Sequence, residues 1–360
     1  VYTLSYNGIP PNAPQNLIAS ADDQQITLTW DHNLEEDLDQ YLLYGGNERA
    51  IQLNGNNQYV NLDGSAQHLS PLVFQESITI SSWVKVPTET SPNGYNCLIG
   101  GWRDYGYMVY AGGSHYDGSV LFQIGGSGSD DIFTSSLRST SDLRDGRWHY
   151  ITATYNGSTG NVYVDGILES SVNADPIVNT RLYPQNTLRL GWPNHTGESE
   201  AFYGSIGRTE IWSRALGAEE IINNMTTAPD PNSADLVGMW MLNELTGTVA
   251  YDVGQNQIDG TLIEDPVRTF ILSEISDTLQ ASENFNTLTG LANYTEYAYS
   301  IAAADTAENI SEPSDYVVSI PYQSSNNQSI LFDDNVGYVS AGNGLDFSGS
   351  FSLSAWVKVE

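Results

Sequence analysis

The residues of this 360-residue chain that could do chemistry are above all carboxylates, since Asp and Glu together number 44. Hydrolysis of a glycosidic bond uses two carboxyl groups that face each other roughly 5–9 Å apart across a cleft. Asp37 and Asp39 have a suitable spacing, but they continue an acidic run that begins at Glu35. Asp130 and Asp131 follow a Gly/Ser-rich stretch, as residues of a turn do. The sequence therefore predicts no catalytic residues.

Nucleophilic, zinc-based and phosphate-based chemistry are equally poorly supported. The five His residues are scattered without the spacing of a zinc site, and His149 is expected to be structural. Cys97 is the single cysteine, so no intrachain disulfide is expected, and a lone cysteine usually packs as a small apolar residue. No serine has the sequence context of a nucleophile elbow, and no Gly-rich loop precedes a helix.

The charge balance excludes some partners. Twelve Lys and Arg residues against 44 acidic ones give a formal net charge of −32, which repels phosphate backbones and anionic lipid headgroups. No stretch approaches the roughly 20 apolar residues of a membrane span. We therefore expect neither nucleic-acid binding nor membrane insertion. The acidity suits calcium, although keeping a large exposed protein soluble explains it as well.

Aromatic residues in loops are the candidates for binding a sugar. Trp102 and Tyr105 lie in one Gly-rich loop, and Trp192 and His195 lie in a second loop rich in Gly and Pro. Tyr116 lies in a further loop segment. Loops carry function more often than strands do, and an exposed Trp beside polar groups is a common recognition element. The alternative is that these rings only cap the fold.

The elements that must position these residues are nearly all strands. Apolar and polar residues alternate with a period of two in residues 25–30, 77–80, 187–190 and 316–320, which indicates strands with one buried face. Residues 216–225 alone space their apolar side chains at helical intervals. The sequence therefore predicts an all-β fold with one short helix. Four tryptophans occupy strand positions and are expected in the core: Trp83, Trp148, Trp212 and Trp240.

Two distant segments carry a first family resemblance. Residues 14–44 resemble the opening three strands of a fibronectin type III domain, with Trp30 as its core tryptophan. The closing half is found at residues 288–305, where Leu291 and Tyr297 resemble the tyrosine corner of such immunoglobulin-like sandwiches. The resemblance implies one domain that is split by an insertion. Two separate, incomplete sandwiches are the alternative, and they would leave open strand edges, which natural proteins avoid.

The chain between these halves carries a stronger resemblance. Residues 50–265 resemble a laminin-G-like jelly-roll sandwich of the concanavalin A-like lectin/glucanase type, which is common in bacterial surface proteins. The resemblance implies a second all-β sandwich. Its matching pieces follow the order of the family: residues 53–60, 80–85, 145–155, 162–166, 204–206, 211–216, 236–252 and 259–262.

The pattern restarts near the end of the chain. Residues 330–339 and 351–358 repeat the jelly-roll opening, and residues 1–6 resemble the strand before Pro321, so the chain is interpreted as a window on a tandem array. The expected organisation has four parts: 1–11, the last strand of a preceding sandwich and a linker; 12–48 with 267–321, the split fibronectin type III-like domain; 50–265, the jelly roll; and 328–360, the start of a second, truncated laminin-G-like domain.

The jelly-roll resemblance implies calcium as a ligand, because relatives hold one ion at a sheet edge with Asp or Asn side chains and backbone carbonyls. This chain departs from the family where relatives carry an Asp, since Gly207 and Arg208 stand there. Asn and Asp also stabilise turns without any metal, which is the alternative. The candidate ligands lie in the opening and closing turns of the jelly roll: Asn54, Asn57, Asp252 and Asp259.

Both resemblances together imply a non-catalytic, secreted or cell-surface protein, of bacterial type, for adhesion or carbohydrate binding. Its expected partners are glycans, extracellular proteins or neighbouring copies of the chain. One alternative is an accessory region of a secreted polysaccharide-degrading enzyme, which a hydrolase domain elsewhere in the gene would reveal. Another is a structural subunit of an extracellular filament, in which chains complete one another's sheets.

Overall fold

The computed structural model describes residues 8–62, 71–74, 76–88, 94–101, 106–125, 131–175, 188–193 and 200–323, without the side chains of residues 276–278. The expected second jelly roll at 328–360 lies outside the described residues, as does most of the segment 1–11. Strands make up most of the regular structure, together with one α-helix and one 3₁₀ turn.

The described elements are listed here in chain order: β1 (Ile18–Asp22), β2 (Gln25–Thr29), β3 (Leu38–Gly46), β4 (Arg49–Asn54), β5 (Tyr59–Leu62), β6 (Ile78–Lys85), β7 (Cys97–Gly100), β8 (Tyr107–Ala111), the 3₁₀ turn (Ser114–Tyr116), β9 (Val120–Ile124), β10 (Leu137–Arg138), β11 (Trp148–Tyr155), β12 (Thr159–Val164), β13 (Ile167–Asn173), β14 (Arg189–Leu190), β15 (Tyr203–Trp212), α1 (Ala218–Thr226), β16 (Leu236–Trp240), β17 (Val249–Ala250), β18 (Gly260–Ile263), β19 (Val267–Phe270), β20 (Ser273–Gln280), β21 (Phe285–Thr289), β22 (Tyr297–Asp305) and β23 (Val317–Ser319).

A large sandwich occupies the middle of the chain. Sheet 1 has the strand order β10-β9-β8-β7-β14-β5-β18-β17, and sheet 2 has the order β13-β12-β11-β6-β15-β4-β19, with β16 also paired to β15. Alternate residues of each strand enter one apolar core between the two sheets, as the period-two pattern predicts. The predicted all-β fold with one short helix, consistent with a jelly roll, is confirmed for the described residues. None of their helices is long and apolar enough to span a membrane.

A small sandwich is built from the two flanking segments. One sheet has the order β1-β2-β21 and the other has the order β20-β3-β22-β23. Trp30 and Tyr41 pack edge to face in the core between them, with ring centroids 5.4 Å apart. The Tyr297 hydroxyl accepts a hydrogen bond from the backbone N–H of Ala292 at 3.0 Å, which fastens the turn before β22. The assignment to the fibronectin type III family, and the domain bounds, stay predictions.

The chain leaves the small sandwich after β3 and returns to it at β20. At this junction Gly45 is paired with Ser273, and Arg49 is paired with Phe270, so that the outgoing and returning strands are neighbours in both sandwiches. The Ile271 carbonyl oxygen lies where a side chain at Gly46 would be, 2.3 Å from an ideal Cβ. Only glycine at position 46 allows the two crossing segments to approach this closely.

A buried ion pair on β15 of sheet 2 includes the arginine that contacts α1. Arg208 is 1% exposed and Glu210 is fully buried, and Arg208 Nε lies 2.9 Å from Glu210 Oε1 in an ion pair without hydrogen-bond alignment. The guanidinium also donates to the Asn224 carbonyl in the last turn of α1, where a cation is favoured. The Tyr150 hydroxyl and the Trp212 indole N–H each donate to the Glu210 carboxylate at 3.3 Å. Arg208 thus holds the helix against the sheet.

The expectation that four strand tryptophans are core residues is half right. Trp240 and Trp212 are buried. Trp83 and Trp148 are only half-buried, on the outer face of sheet 2. The sequence pattern assigned them to a buried face, but the residue next to Trp83 that enters the core is Val84. The prediction is therefore wrong for Trp148, whereas Trp83 packs, partly buried, against the apolar cluster that includes Tyr150 and Trp212.

We expect Arg208→Met to lower the free energy of unfolding by about 3–5 kcal/mol, because it leaves the Glu210 carboxylate buried without a counter-charge. Urea unfolding followed by circular dichroism measures the change. Arg144→Met is the matched control, since the Arg144–Asp142 pair is partly exposed and should cost less than about 1 kcal/mol. Equal losses in the two variants would show that the buried pair has no special role.

Candidate functional site

An open cavity of about 260 Å³ lies on the outer face of sheet 1. Tyr107 and Val109 of β8 enter the core, so that the alternate residues Met108 and Tyr110 face outward. We call this site the tyrosine pocket and define it by its lining with the ring at its base: Tyr95, Met108, Tyr110, Tyr116, Gln123, Ile124, Gly125 and Asp131.

Three tyrosine rings form one side of the tyrosine pocket. The Tyr95 ring lies 5.9 Å from Tyr110 and 5.8 Å from Tyr116 between centroids, and Tyr110 lies 6.2 Å from Tyr116. The His115 ring meets Tyr95 edge-on at 4.5 Å. Such tilted contacts are the favourable geometry for aromatic pairs. The rings hold one another in place, while Tyr95 and Tyr116 remain partly exposed.

The loop that carries Tyr116 is fixed by backbone contacts. Tyr116 ends the 3₁₀ turn, and the Ser119 hydroxyl donates to its carbonyl at 2.6 Å. A side chain at Gly113 would meet the Tyr95 carbonyl oxygen at 2.3 Å, so glycine is required there. The Tyr116 ring is therefore presented in a preset position rather than on a long free loop.

A buried carboxylate lies beneath the rings. The Tyr110 hydroxyl donates to Glu200 Oε2 at 3.0 Å, and Glu200 is 7% exposed. The backbone carbonyl of Glu200 accepts from the Cys97 N–H at 2.7 Å. Burial, with the charge of Glu200, raises the pKa of the Cys97 thiol well above its usual value. Cys97 is thus an unreactive packing residue, as the sequence predicts.

Asp131 supplies a second carboxylate at the rim of the tyrosine pocket. Burial raises the pKa of Asp131 to about 6, although its carboxylate accepts hydrogen bonds from the N–H groups of Ile124 and Phe133 at 3.2 and 3.4 Å. Because this pKa lies below 7, the group is mostly ionised at neutral pH and can only accept hydrogen bonds. The pocket therefore offers apolar ring surface and carboxylate oxygen together.

A second aromatic cluster lies on the same face of sheet 1. Trp192 meets Tyr59 edge to face, with centroids 5.5 Å apart, and the Arg189 guanidinium lies 4.6 Å from the centre of the Tyr59 ring. Val60 enters the core, so Tyr59 on β5 faces outward. β5 and β8 are three strand spacings apart in sheet 1, which places the two clusters about 15 Å apart.

The structure brings two of the five predicted sugar-binding residues to one sheet face, namely Tyr116 and Trp192. The other three, Trp102, Tyr105 and His195, lie outside the described residues. The sequence assigned Asp131 to a turn and gave no role to Tyr95. In β8, the period of two predicts that Tyr110 faces the same side as Met108. No local feature of the sequence predicts that Asp131 lies beside the tyrosine rings.

The predicted calcium ligands are hydrogen-bonded to other groups of the chain. The Asn54 side chain donates to Asn57 Oδ1 at 3.0 Å. Asp252 accepts from the N–H groups of Met239, Gly254 and Ile258 at 2.8–2.9 Å. Such bonds stabilise turns whether or not an ion is bound.

The Asn pair and the Asp pair lie at opposite ends of two paired strands. Tyr59 is paired with Ile263 and Leu62 with Gly260, so Asn57 and Asp259 are separated by roughly 20 Å along the strands. One ion cannot contact both pairs. Among the described residues no group of three or more His, Cys, Asp or Glu side chains could hold a metal ion.

Part of the chain is similar in sequence to a known family. Residues 54–222 match the Laminin_G_3 family, described as the concanavalin A-like lectin/glucanases superfamily. A concanavalin A-like lectin/glucanase domain is therefore supported for this part of the chain, within the large sandwich. No curated protein sequence matches the chain.

Several solved structures are similar to the chain at low identity. A Bacteroides ovatus protein to which carbohydrate binding is ascribed is 14% identical, covering 72% of this chain and 70% of its own, with a TM-score of 0.41. Domain 4 of AbnA, a GH43 extracellular arabinanase from Geobacillus stearothermophilus solved with arabinotriose, is 16% identical, with coverages of 59% and 85% and a TM-score of 0.34. The Ruminococcus gnavus IT-sialidase CBM40 is 17% identical, with coverages of 50% and 96% and a TM-score of 0.37.

We expect Asp131→Asn to change how stability depends on pH. The pKa of Asp131 is about 6 in the folded chain and 3.8 in the unfolded chain. The free energy of unfolding therefore falls as pH rises from about 4 to 6, because the ionised carboxyl is less favourable in the folded chain. The variant should therefore gain stability relative to the native chain across that interval, measured as the difference in thermal midpoints.

Asp142→Asn is the control of opposite sign. A hydrogen bond from Arg144 lowers the pKa of Asp142, so that its ionised form stabilises the folded state and protonation removes this contribution. Asp142→Asn should therefore lose stability at neutral pH relative to the native chain. A flat difference for Asp131→Asn between pH 4 and 6 would show that this carboxyl is not buried in solution.

Proposed function

We propose that the chain is a carbohydrate-binding part of a secreted or cell-surface protein, and that the tyrosine pocket holds the sugar. The observation that carries the proposal is the grouping of the partly exposed Tyr95 and Tyr116 rings with the Asp131 carboxylate around a cavity on the outer face of sheet 1. The match of residues 54–222 to a lectin/glucanase superfamily supports the same conclusion.

The chemistry of a sugar ring suits this pocket. One face of a pyranose presents C–H groups, which pack against an aromatic ring, while its edge presents hydroxyl groups. Tyr116 and Tyr95 offer ring surface that is already ordered, so that little conformational entropy is lost on binding. Gln123 and Asp131 offer polar groups at the rim for the hydroxyls. Ligand sites commonly combine apolar walls with a few fixed polar groups in this way.

The Trp192 cluster extends the site. It lies on the same face of sheet 1 as the tyrosine pocket, about 15 Å away. We infer that an oligosaccharide longer than one unit contacts both clusters. Trp102, Tyr105 and His195, which lie outside the described residues, stay predicted contacts from their sequence context.

We expect Tyr116→Ala to weaken glycan binding at least tenfold, because it removes a partly exposed ring that lines the tyrosine pocket, and circular dichroism checks that the variant is folded. A glycan array identifies the ligand, and titration calorimetry then measures its affinity. Tyr322→Ala, at a half-exposed tyrosine of the small sandwich, is the matched control and should bind normally. Unchanged affinity in Tyr116→Ala would move the site away from the tyrosine pocket.

Support of the fold by calcium remains a prediction. An ion that binds only the folded state raises the thermal midpoint by mass action. We expect a higher midpoint in millimolar calcium than in excess EDTA. Asn57→Ala and Asp259→Asn test the two places separately, and the variant that abolishes the shift identifies the ligands. Equal midpoints in calcium and EDTA would leave these residues with a turn-stabilising role alone.

The same binding function fits a repetitive surface adhesin and an accessory region of a polysaccharide-degrading enzyme. A hydrolase domain encoded elsewhere in the gene would favour the enzyme. Further copies of the same two sandwiches would favour the adhesin.

A further inference from the structure

A second cavity, of about 460 Å³, lies between the two sandwiches. One wall is the outer face of sheet 2, and the other wall is the outer face of the four-stranded sheet of the small sandwich. We call it the cleft. It is remote from the tyrosine pocket, which lies on sheet 1, and the glycan-binding role proposed above does not depend on it.

Sheet 2 contributes aromatic and basic residues to the cleft. Trp148 on β11 is paired with Lys85 on β6, and Tyr150 is paired with Trp83 two residues further along. Directly paired side chains on one face of a sheet are neighbours. Arg147 precedes β11 and lines the same wall. The indole N–H groups of the half-buried Trp83 and Trp148 have no hydrogen-bond partner among the described residues.

The small sandwich presents a polar row opposite these residues. Tyr44 on β3 is paired with Glu274 on one side and with Ser300 on the other, and all three line the cleft. Burial raises the pKa of Tyr44, while the charge of Arg147 acts in the opposite direction and that of Glu274 in the same direction. The hydroxyl of Tyr44 therefore lies within the field of a basic residue of the other sandwich.

Lys85 and Arg147 are exceptional among the basic residues of the described chain. Neither has a carboxylate within 4 Å or a side-chain hydrogen bond among the described residues. Burial lowers the pKa of Lys85, as it does for a cation without a close partner. The other described arginines contact carboxylates, backbone carbonyls or an aromatic ring: Arg49, Arg138, Arg144, Arg189, Arg208, Arg214 and Arg268.

Two of the cleft carboxylates are already satisfied. His149 Nδ1 lies 2.8 Å from Asp165 and Nε2 lies 3.2 Å from Asp145. Burial alone would lower the pKa of His149, but these hydrogen bonds and charges raise it to about 9, so the ring is charged at neutral pH. Among the described residues that line the cleft, the carboxylates of the exposed Glu274 and Glu312 have no hydrogen-bond or ion-pair partner. The cleft thus offers free donors and free acceptors around aromatic rings.

We propose that the cleft binds an uncharged saccharide, which bridges the two sandwiches. Hydroxyl groups both donate and accept, so they can pair with Lys85 and Arg147 and with Glu274 at the same time. The Trp148 ring provides the stacking surface. The net charge of the cleft lining is slightly negative, which disfavours an anionic ligand. Its three positive side chains are Lys85, Arg147 and His149, and its four negative ones are Asp145, Asp165, Glu274 and Glu312. A neutral polyol can form hydrogen bonds with the unpaired donors and with the unpaired carboxylates of the cleft.

The test uses the full chain and neutral cello-, xylo- and galacto-oligosaccharides, with oligogalacturonate as the acidic comparison. Titration calorimetry measures affinity, and acrylamide quenching of tryptophan fluorescence reports protection of Trp148. We expect a neutral oligosaccharide to bind and to protect the tryptophan. Arg147→Gln and Trp148→Ala should each weaken this binding at least tenfold, and Glu274→Gln at least threefold if the ligand bridges both sandwiches.

Arg144→Gln is the matched control, because Arg144 lies three residues away and pairs with Asp142. It should bind normally. Tyr116→Ala separates the two sites, since it disturbs the tyrosine pocket and should leave cleft binding intact. Circular dichroism confirms that each variant is folded. The proposal is overturned if no neutral oligosaccharide binds, if folded Arg147→Gln and Trp148→Ala bind normally, or if only oligogalacturonate binds.

Discussion

The strand that leads the chain out of the small sandwich and the strand that brings it back are hydrogen-bonded neighbours. Gly45 pairs with Ser273, and a few residues further along Arg49 pairs with Phe270. The ends of the large sandwich are therefore adjacent, and a closed unit of more than 200 residues can occupy one loop at little entropic cost. Arg49 also forms an ion pair with Glu296, which ties the first strand of the insertion to the small sandwich. The mutual orientation of the two sandwiches follows from these contacts, and the cleft between them depends on it.

The two outer faces of the large sandwich are used differently. Sheet 2 is covered by α1 over one part and by the small sandwich over another, and Arg208 with Glu210 holds the helix in place. A buried pair of this kind is costly to desolvate, but it is costlier still to break. Sheet 1 has no such cover in the described chain, and the partly exposed Tyr95 and Tyr116 line a pocket on its outer face. The contacts of α1 and the small sandwich with sheet 2 thus fix the architecture, while the tyrosine pocket lies on the opposite side, on sheet 1.

Burial also decides the electrostatic character of each site, although the whole chain carries a net charge of −32. In the tyrosine pocket, burial brings the pKa of Asp131 close to neutral pH, so this acceptor can be switched by modest acidity. In the cleft, two carboxylates keep His149 charged, and Lys85 and Arg147 are left for a ligand. Because the chain has only 12 Lys and Arg residues against 44 acidic ones, the positions of the cations indicate more about a ligand than the many carboxylates do.

The alternation of apolar residues was sufficient to predict the strands, and the helical spacing at residues 216–225 predicted α1, because both signals depend only on local periodicity. The loop contexts of Tyr116 and Trp192 also predicted a role in sugar binding, which stays a prediction. The sequence could not decide that Trp148 faces a second sandwich, because a period of two defines two faces without saying what covers either one. Nor could it show that Asp131 is buried beside Tyr116. Those facts depend on strand order and on contacts between distant segments, for which a sequence carries no local signal.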